Sequence, residues 1–268
     1  MKTTLQLLLG SAGFLIATVV HAQDWAKARL EKSPRHLEWI KIPQGARTVQ
    51  SFIAYPEVKE KATAVIVIHE IFGLSDWVRD VTDQLAEAGY IAIAPDLLSG
   101  VGPNGGGTAA LGGDDGARKA ISSLPPEQVT ADLKAVADYV SKLPACNGKV
   151  VVAGFCWGGT QSFRFATNQN DLKAALVFYG TSPTAEAELA RIACPVYGFY
   201  GGNDARVSAT VPKTSELMKA VNKSYEPSIF DGAGHGFMRT GEDPKATEAN
   251  KKAHDEAWKR WLDILKKV

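Results

Sequence analysis

The sequence predicts an α/β fold in which helices cover both faces of a mostly parallel central sheet, with an antiparallel hairpin at its N-terminal side. Three observations lead to this prediction. Short apolar runs such as residues 63–68 and 149–155 lack the alternation of a half-exposed strand, so both of their faces are buried. Segments with apolar residues at helical spacing lie between such runs. Strands that alternate with helices are typical of a parallel sheet.

The first 22 residues are predicted to be a secretory signal peptide. Lys2 precedes a mostly apolar run at residues 7–20, and the small residue Ala22 provides a cleavage site. The alternative is a transmembrane anchor, but the run is short for a bilayer and a serine and a glycine interrupt it. We therefore expect cleavage after Ala22 and a periplasmic or secreted location. The mature chain, residues 23–268, is expected to form one domain that is not attached to a membrane.

The elements after the signal follow in order. A β-hairpin is predicted from residues 36–42 and 48–54. A helix capped by Ser75 follows the strand at 63–68, and a second helix begins near Pro126. The remaining predicted elements are strands at 90–94, 172–179, 195–200 and 225–230, and a last helix with Ala257, Trp261, Ile264 and Leu265.

One segment departs from this alternation. Residues 97–116 are rich in glycine and long for a connection between two elements. Loops of this length often have a function, so the segment is a candidate rim or lid over the active site.

Cys156 lies at the tip of a predicted strand-to-helix turn. The spacing Gly154-x-Cys156-x-Gly158 fits a nucleophile elbow, in which glycines let the chain turn sharply around a strained nucleophile. The turn places the thiol near a helix N-terminus, whose dipole favours the thiolate. The alternative is a packed thiol at an ordinary glycine-rich turn, because cysteine is among the most buried residue types.

The other two cysteines, Cys146 and Cys194, both precede predicted strands and therefore lie at the opposite edge of a parallel sheet. They can form a disulfide, or they remain two unpaired buried thiols if another strand holds them apart.

Cys156, Asp204 and His235 each follow the end of a different predicted strand. In parallel sheets the ligand crevice lies beyond these ends. The order nucleophile, acid, base is that of the α/β-hydrolase triad and differs from the two main serine-protease orders. Taken alone, the aspartate would be a turn residue and the histidine a structural loop residue. Their joint occurrence favours a triad.

Four motifs stand at these strand ends: His69-Glu70-Ile71-Phe72-Gly73-Leu74, Gly154-Phe155-Cys156-Trp157-Gly158-Gly159, Tyr200-Gly201-Gly202-Asn203-Asp204 and Gly234-His235-Gly236-Phe237. In them the chain resembles the dienelactone hydrolase family, which has the α/β-hydrolase fold and a cysteine nucleophile. The resemblance extends from about Trp39 to the C-terminus. It implies opening of dienelactone (carboxymethylenebutenolide) to maleylacetate through a thioester acyl-enzyme, without a cofactor.

The expected roles follow from this chemistry. Cys156 attacks an acyl carbon, His235 takes up the thiol proton and later activates water, and Asp204 orients the imidazole. The backbone N–H groups of Ile71 and Trp157 are placed to stabilise the oxyanion.

The resemblance also implies a role for Glu70, which helps to deprotonate the cysteine when substrate binds. Other roles for this carboxylate are capping of the following helix or pairing with an arginine such as Arg239.

Substrate contacts are the less determined part of the site. The resemblance implies two arginines that bind a substrate carboxylate, and Arg239 matches one of them. The second belongs after the strand at 90–94, where no arginine precedes Arg118. Phe237 and Trp157 are candidates for an apolar wall around the acyl group, or for core packing.

A thiol nucleophile also limits the substrate. With a parent pKa of about 8.5, a thiolate is expelled again from adducts with simple alkyl esters. Enol lactones, aryl esters and thioesters fit better. The alternatives are therefore a general aryl esterase or thioesterase, or a non-catalytic exported binding protein on the same scaffold.

Other classes are disfavoured. A class I glutamine amidotransferase usually has an acid two residues after the histidine, which His235-Gly236-Phe237 lacks. A formal net charge of +1 does not indicate a nucleic-acid or acidic-membrane partner. No histidine pair has metal-ligand spacing with an acidic partner, so no metal is expected. We expect a small, anionic ester or lactone substrate and a monomer or weak oligomer.

Overall fold

The structure is a computed structural model that describes residues 23–268. The predicted signal peptide and its cleavage site lie outside these residues. Within them the strands are β1 (Leu37–Gln44), β2 (Arg47–Ala54), β3 (Ala62–Ile68), β4 (Ile91–Pro95), β5 (Cys146–Phe155), β6 (Ala174–Phe178), β7 (Val196–Gly201) and β8 (Tyr225–Phe230).

The strands form a mixed sheet in the order β1-β2-β4-β3-β5-β6-β7-β8. β2 pairs antiparallel with both β1 and β4, and every other neighbouring pair is parallel. The predicted α/β-hydrolase fold, with a mostly parallel sheet and an antiparallel N-terminal hairpin, is confirmed. The hairpin extends the parallel sheet through β4.

The helices of the described residues are α1 (Asp24–Leu30), α2 (Asp76–Glu87), α3 (Asp114–Ser122), α4 (Pro126–Ser141), α5 (Trp157–Ala166), α6 (Glu186–Leu189), α7 (Ala205–Ser208), α8 (Val211–Ala220), α9 (Phe237–Thr240) and α10 (Glu248–Leu265). None of them is long and apolar enough to cross a membrane. α1, α2 and α10 contribute to one hydrophobic core, and α4, α5 and α8 to another.

The central strands explain why two cores exist. In β3, Ile66 and Ile68 belong to the core with α4, whereas Val65 and Val67 belong to the core with α2. Successive side chains of a strand point to opposite faces, so an uninterrupted apolar run fills both cores. The sheet is therefore held rigidly between two helical layers.

The glycine-rich segment 97–116 has more structure than the sequence predicts. It contains two short 3₁₀ turns at Pro103–Gly105 and Thr108–Ala110 and reaches the start of α3. Asp96 accepts hydrogen bonds from the backbone N–H and the hydroxyl of Thr108, at 2.8 and 2.7 Å. The Thr108 hydroxyl also accepts one from the backbone N–H of Leu74, at 3.0 Å. These bonds fasten the segment to the loop that precedes α2.

Cys146 and Cys194 are buried free thiols. Cys146 begins β5 and Cys194 lies just before β7, and β6 lies between these strands. Two sheet spacings amount to about 9.5 Å, which is too far for a disulfide. Of the two arrangements left open by the sequence, the unpaired one is therefore observed.

Candidate active site

A cavity of about 380 Å³ opens where the parallel strands end. Its lining residues are Glu70, Ile71, Phe72, Cys156, Trp157, Thr160, Tyr179, Thr181, Arg206, Val207, His235 and Arg239. They come from the ends of β3, β5, β6, β7 and β8, because parallel strands place all of their carboxyl ends at one edge. All of them lie outside the segment 97–116, so this segment does not form the cavity wall.

Cys156 occupies the turn between β5 and α5 with φ 56° and ψ −116°, a strained conformation for a residue with a side chain. The glycines around it are required by close contacts. A Cβ atom on Gly154 would lie 2.0 Å from the carbonyl oxygen of Gly158, and one on Gly158 would lie 2.4 Å from that of His69. The strand-turn-helix elbow expected from the glycine spacing is therefore present.

His235 and Asp204 form a hydrogen-bonded pair beyond the ends of β8 and β7. The Nδ1 atom of His235 lies 2.5 Å from Oδ2 of Asp204. Asp204 is buried and also accepts a bond from the backbone N–H of Val207, at 3.4 Å, as the N-cap of α7. The ring of Tyr179 packs edge-on against the imidazole, 5.0 Å away. The carboxylate, the cap and the aromatic ring together hold His235 in one orientation.

The environment of the thiol differs from the sequence-based expectation. Burial and the charge of Glu70 raise the pKa of Cys156 to about 11, although hydrogen bonds from the Trp157 and Ile71 backbone N–H groups and the charge of Arg206 lower it. The helix N-terminus that favours a thiolate is therefore not sufficient to lower the pKa of Cys156, because desolvation outweighs it. Within the described residues no hydrogen bond joins the thiol to His235.

Glu70 is paired with Arg239. The carboxylate is buried and accepts a hydrogen bond from Nε of Arg239, at 2.7 Å. Burial raises the pKa of Glu70, while the charge and hydrogen bond of Arg239 oppose this shift. The pairing that the sequence allowed for Glu70 is therefore observed. The Glu70 carboxylate occupies the Nε–H donor at one edge of the Arg239 guanidinium.

This geometry can be compared with known proteins. The sequence profile of the dienelactone hydrolase family matches residues 49–268. The chain belongs to this family. It is therefore a hydrolase, as the sequence predicts.

Individual relatives agree with this assignment. A Salmonella typhimurium protein provisionally named carboxymethylenebutenolidase is 31% identical over 267 residues, which cover 94% of this chain and 92% of the relative. The crystal structure of a provisional dienelactone hydrolase from Klebsiella pneumoniae superimposes with a TM-score of 0.75 at 26% identity, covering 87% of this chain and 99% of that one. A dienelactone hydrolase from Anabaena variabilis, 17% identical, shares the fold with a TM-score of 0.65 over 85% of this chain and 98% of that one.

Two aromatic residues of this dienelactone hydrolase family member have different positions. Trp157 lines the cavity, and its indole stacks on His69 with ring centroids 5.5 Å apart. Phe237 is fully buried against Tyr179 and Phe230. The expectation that Phe237 contacts substrate is wrong, because the αL conformation of Gly236 turns the chain inward at the start of α9. Phe237 instead packs in the core, which was the alternative role.

Sequence reasoning missed other cavity residues. Tyr179 follows β6 with a positive φ of 42°, and its hydroxyl is buried without a hydrogen-bond partner in the described residues. Arg206 lies two residues after Asp204 and lines the cavity. The rule that ligands bind beyond strand ends would have found both residues, had it been applied to every predicted strand.

Phe72 has two arginines near its ring. The guanidinium of Arg239 lies 5.2 Å from the ring centroid and that of Arg118 lies 5.0 Å from it. In residues 23–268 no group of three or more histidine, cysteine, aspartate or glutamate side chains is arranged to hold a metal ion.

Proposed function

We propose that this protein is a periplasmic or secreted hydrolase that opens dienelactone-type enol lactones and related activated esters. Cys156 acts as the nucleophile, His235 as the base and Asp204 as the residue that orients the histidine. One observation carries the proposal: a strained cysteine and the histidine of a preformed His–Asp pair line one cavity. These groups come from three separate strand ends, and covalent acyl transfer requires this set.

The reaction balances with these groups. The Cys156 sulfur forms a bond to the lactone carbonyl carbon, and the bond from that carbon to the enol oxygen breaks. The proton removed from the thiol ends on the enol oxygen, and the enol tautomerises to a ketone. Water then attacks the thioester while His235 takes one of its protons. The carbon–sulfur bond breaks, which releases the carboxylate product and regenerates the thiol.

The leaving group determines which esters react. A thiolate and an enolate leave from the tetrahedral adduct with comparable ease, whereas an alkoxide leaves less readily than the thiolate. The backbone N–H groups of Ile71 and Trp157, which lower the pKa of the Cys156 thiol in the resting protein, would donate to the oxyanion of this adduct.

Substrate binding supplies the activation that the resting thiol lacks. A thiol with a pKa of about 11 is almost entirely protonated at neutral pH. A substrate carboxylate that binds Arg239 weakens its bond to Glu70, which is 2.7 Å long in the resting protein. A buried carboxylate without its cation is a stronger base, so Glu70 can then help His235 to remove the thiol proton. This is the role that the family resemblance implies.

A substrate panel tests the proposal. Wild type, Cys156→Ala and the control Cys194→Ala are assayed with dienelactone, an aryl acetate, an acyl thioester and an ethyl ester. We expect dienelactone to react fastest and the ethyl ester slowest. Cys156→Ala should lower kcat/KM about 10⁴-fold or more, as loss of a nucleophile does. Cys194→Ala leaves the site intact, because Cys194 is a buried thiol before β7.

Other results would contradict the proposal in distinct ways. Unchanged rates in Cys156→Ala would remove the covalent mechanism. Faster turnover of the aryl acetate or thioester would favour a general esterase or thioesterase, and no turnover would favour a binding protein. Export is tested separately by N-terminal sequencing of the protein recovered outside the cytoplasm, which should begin at Gln23.

A further inference from the structure

The charges that line the cavity do not cancel. Glu70 is paired with Arg239, and Asp204 is hydrogen-bonded to His235. These pairs leave Arg206 as the charged lining residue without a partner. Within residues 23–268 its side chain forms no hydrogen bond and no ion pair. Of the three ionised side chains in the lining, Glu70, Arg206 and Arg239, two are cationic, so the lining itself has an excess of one positive charge.

The position of Arg206 suits contact with a substrate. It lies in the short helix α7, two residues after Asp204, so the turn that fixes the acid of the triad also fixes the backbone of Arg206. Arg206 is exposed, whereas the neighbouring Val207 is buried. Its charge also acts on the Cys156 thiol and lowers the pKa of that group. Arg206 thus lines the cavity that contains the reacting thiol, and within residues 23–268 its guanidinium has no partner.

Arg118 is the other arginine that could assist Arg239, but its surroundings differ. Its guanidinium lies over Phe72 and 3.9 Å from Asp115, and about half of the side chain is exposed. Arg118 is absent from the cavity lining, whereas Arg206 and Arg239 both belong to it.

Arg239 keeps part of its binding capacity. Its Nε atom donates to Glu70, and its two terminal nitrogens form no hydrogen bonds with the described residues. A guanidinium offers five N–H donors in a planar fork that matches a carboxylate. Two such groups in one cavity can therefore hold one carboxylate from two sides.

We propose that Arg206 is a specificity-determining residue that binds the carboxylate of an anionic ester or lactone together with Arg239. The inference rests on the proposed hydrolase function and names its substrate class. The second arginine is then supplied by the turn after β7, next to the triad acid, instead of by the segment after β4. Neutral esters of the same size would enter the cavity without this contact.

Matched substrates test the inference on the full-length protein. Mono-4-nitrophenyl glutarate carries a carboxylate at the acyl end, and 4-nitrophenyl pentanoate is its neutral analogue. Arg206→Gln should lower kcat/KM for the glutarate ester about tenfold, mainly through KM, because one charge-assisted contact is lost. The pentanoate value should stay within about twofold, and Arg206→Lys should keep part of the glutarate activity, because lysine retains the charge but not the planar fork.

A control removes a charge elsewhere. Lys213 is exposed on α8, so Lys213→Gln changes the net charge equally but should affect neither ester. Added salt should reduce the wild-type preference for the glutarate ester and have little effect on Arg206→Gln.

The two proposals fail separately. Equal losses on both esters, or no loss on the glutarate ester, would overturn the role of Arg206 even if Cys156→Ala abolishes turnover. If neither ester is hydrolysed, the dienelactone assay decides the hydrolase proposal, and calorimetric titration with glutarate decides the role of Arg206. Binding that is about tenfold weaker in Arg206→Gln would support it, and equal or absent binding would overturn it.

Discussion

The two halves of the site are prepared to different degrees. In the nucleophile half, at the ends of β3 and β5, the backbone is tightly constrained, but the Cys156 thiol is buried and its pKa is raised to about 11. In the acid–base half, at the ends of β7 and β8, His235 and Asp204 are already joined at 2.5 Å. The histidine side chain there is 33% exposed.

The difference indicates that only the nucleophile half needs substrate to become active. The acid–base half needs no rearrangement to accept a proton, since its hydrogen bond is formed in the resting protein. In the nucleophile half the backbone is fixed, but the thiol is still protonated. Glu70, which is bonded to Arg239, raises the pKa of the Cys156 thiol. Keeping the thiol protonated until a carboxylate arrives protects it from oxidation, since the thiolate is the reactive form.

The largest effect on this comparison is expected from Asp204→Asn, which disables the half that is already formed. Asparagine keeps the N-cap of α7, so the fold should hold while the imidazole loses its orientation and charge partner. We expect kcat to fall about 10³- to 10⁴-fold with dienelactone, as for a triad aspartate elsewhere. The control Asp231→Asn alters an exposed carboxylate after β8 and should be near neutral. Similar kinetics for the two variants would contradict the triad.

A stability comparison should distinguish the rigidity of the two halves. In Gly158→Ala, the new Cβ atom would lie 2.4 Å from the carbonyl oxygens of Ile68 and His69. In Gly234→Ala, beside His235, the nearest atom would be 3.9 Å away. We expect the first to lower the free energy of unfolding by about 3 kcal/mol or more and the second to change it by about 0.5 kcal/mol. Urea denaturation measures both, and equal values would show that the elbow is not tightly packed.

The smallest expected effect concerns the charge that restrains the thiol. Glu70→Gln removes the carboxylate that raises the Cys156 pKa and leaves Arg239 unpaired, so the pKa should fall. Alkylation by iodoacetamide at pH 8 should become about tenfold faster, as a shift of one pKa unit implies. Turnover of dienelactone should nevertheless decrease.

The wild-type profile provides the reference for that experiment. Its alkylation rate should rise with pH up to about pH 11, since the thiolate fraction increases until the pKa is passed. Glu127→Gln, on an exposed side chain of α4, should leave the profile unchanged. A wild-type plateau near pH 7, or slower alkylation of Glu70→Gln, would show that Glu70 does not restrain the thiol.

Local patterns in the sequence were sufficient for the sheet and for the shared edge of Cys156, Asp204 and His235. A predicted strand ends before Glu70 and before each of these three residues, and these strands run parallel. Their ends therefore share one edge. The separation of Cys146 from Cys194 by β6 is not contained in these local patterns, because strand order depends on how the helices pack.

The sequence by itself determined the fold class, the glycine-locked turn at Cys156 and the common edge of the triad residues, since these follow from local periodicity and backbone sterics. Tertiary structure alone decided which charges meet. It paired Glu70 with Arg239, left Arg206 free in the cavity and buried Phe237 in the core. Electrostatic and desolvation energies depend on distances between groups far apart in the chain, and a linear pattern does not contain those distances.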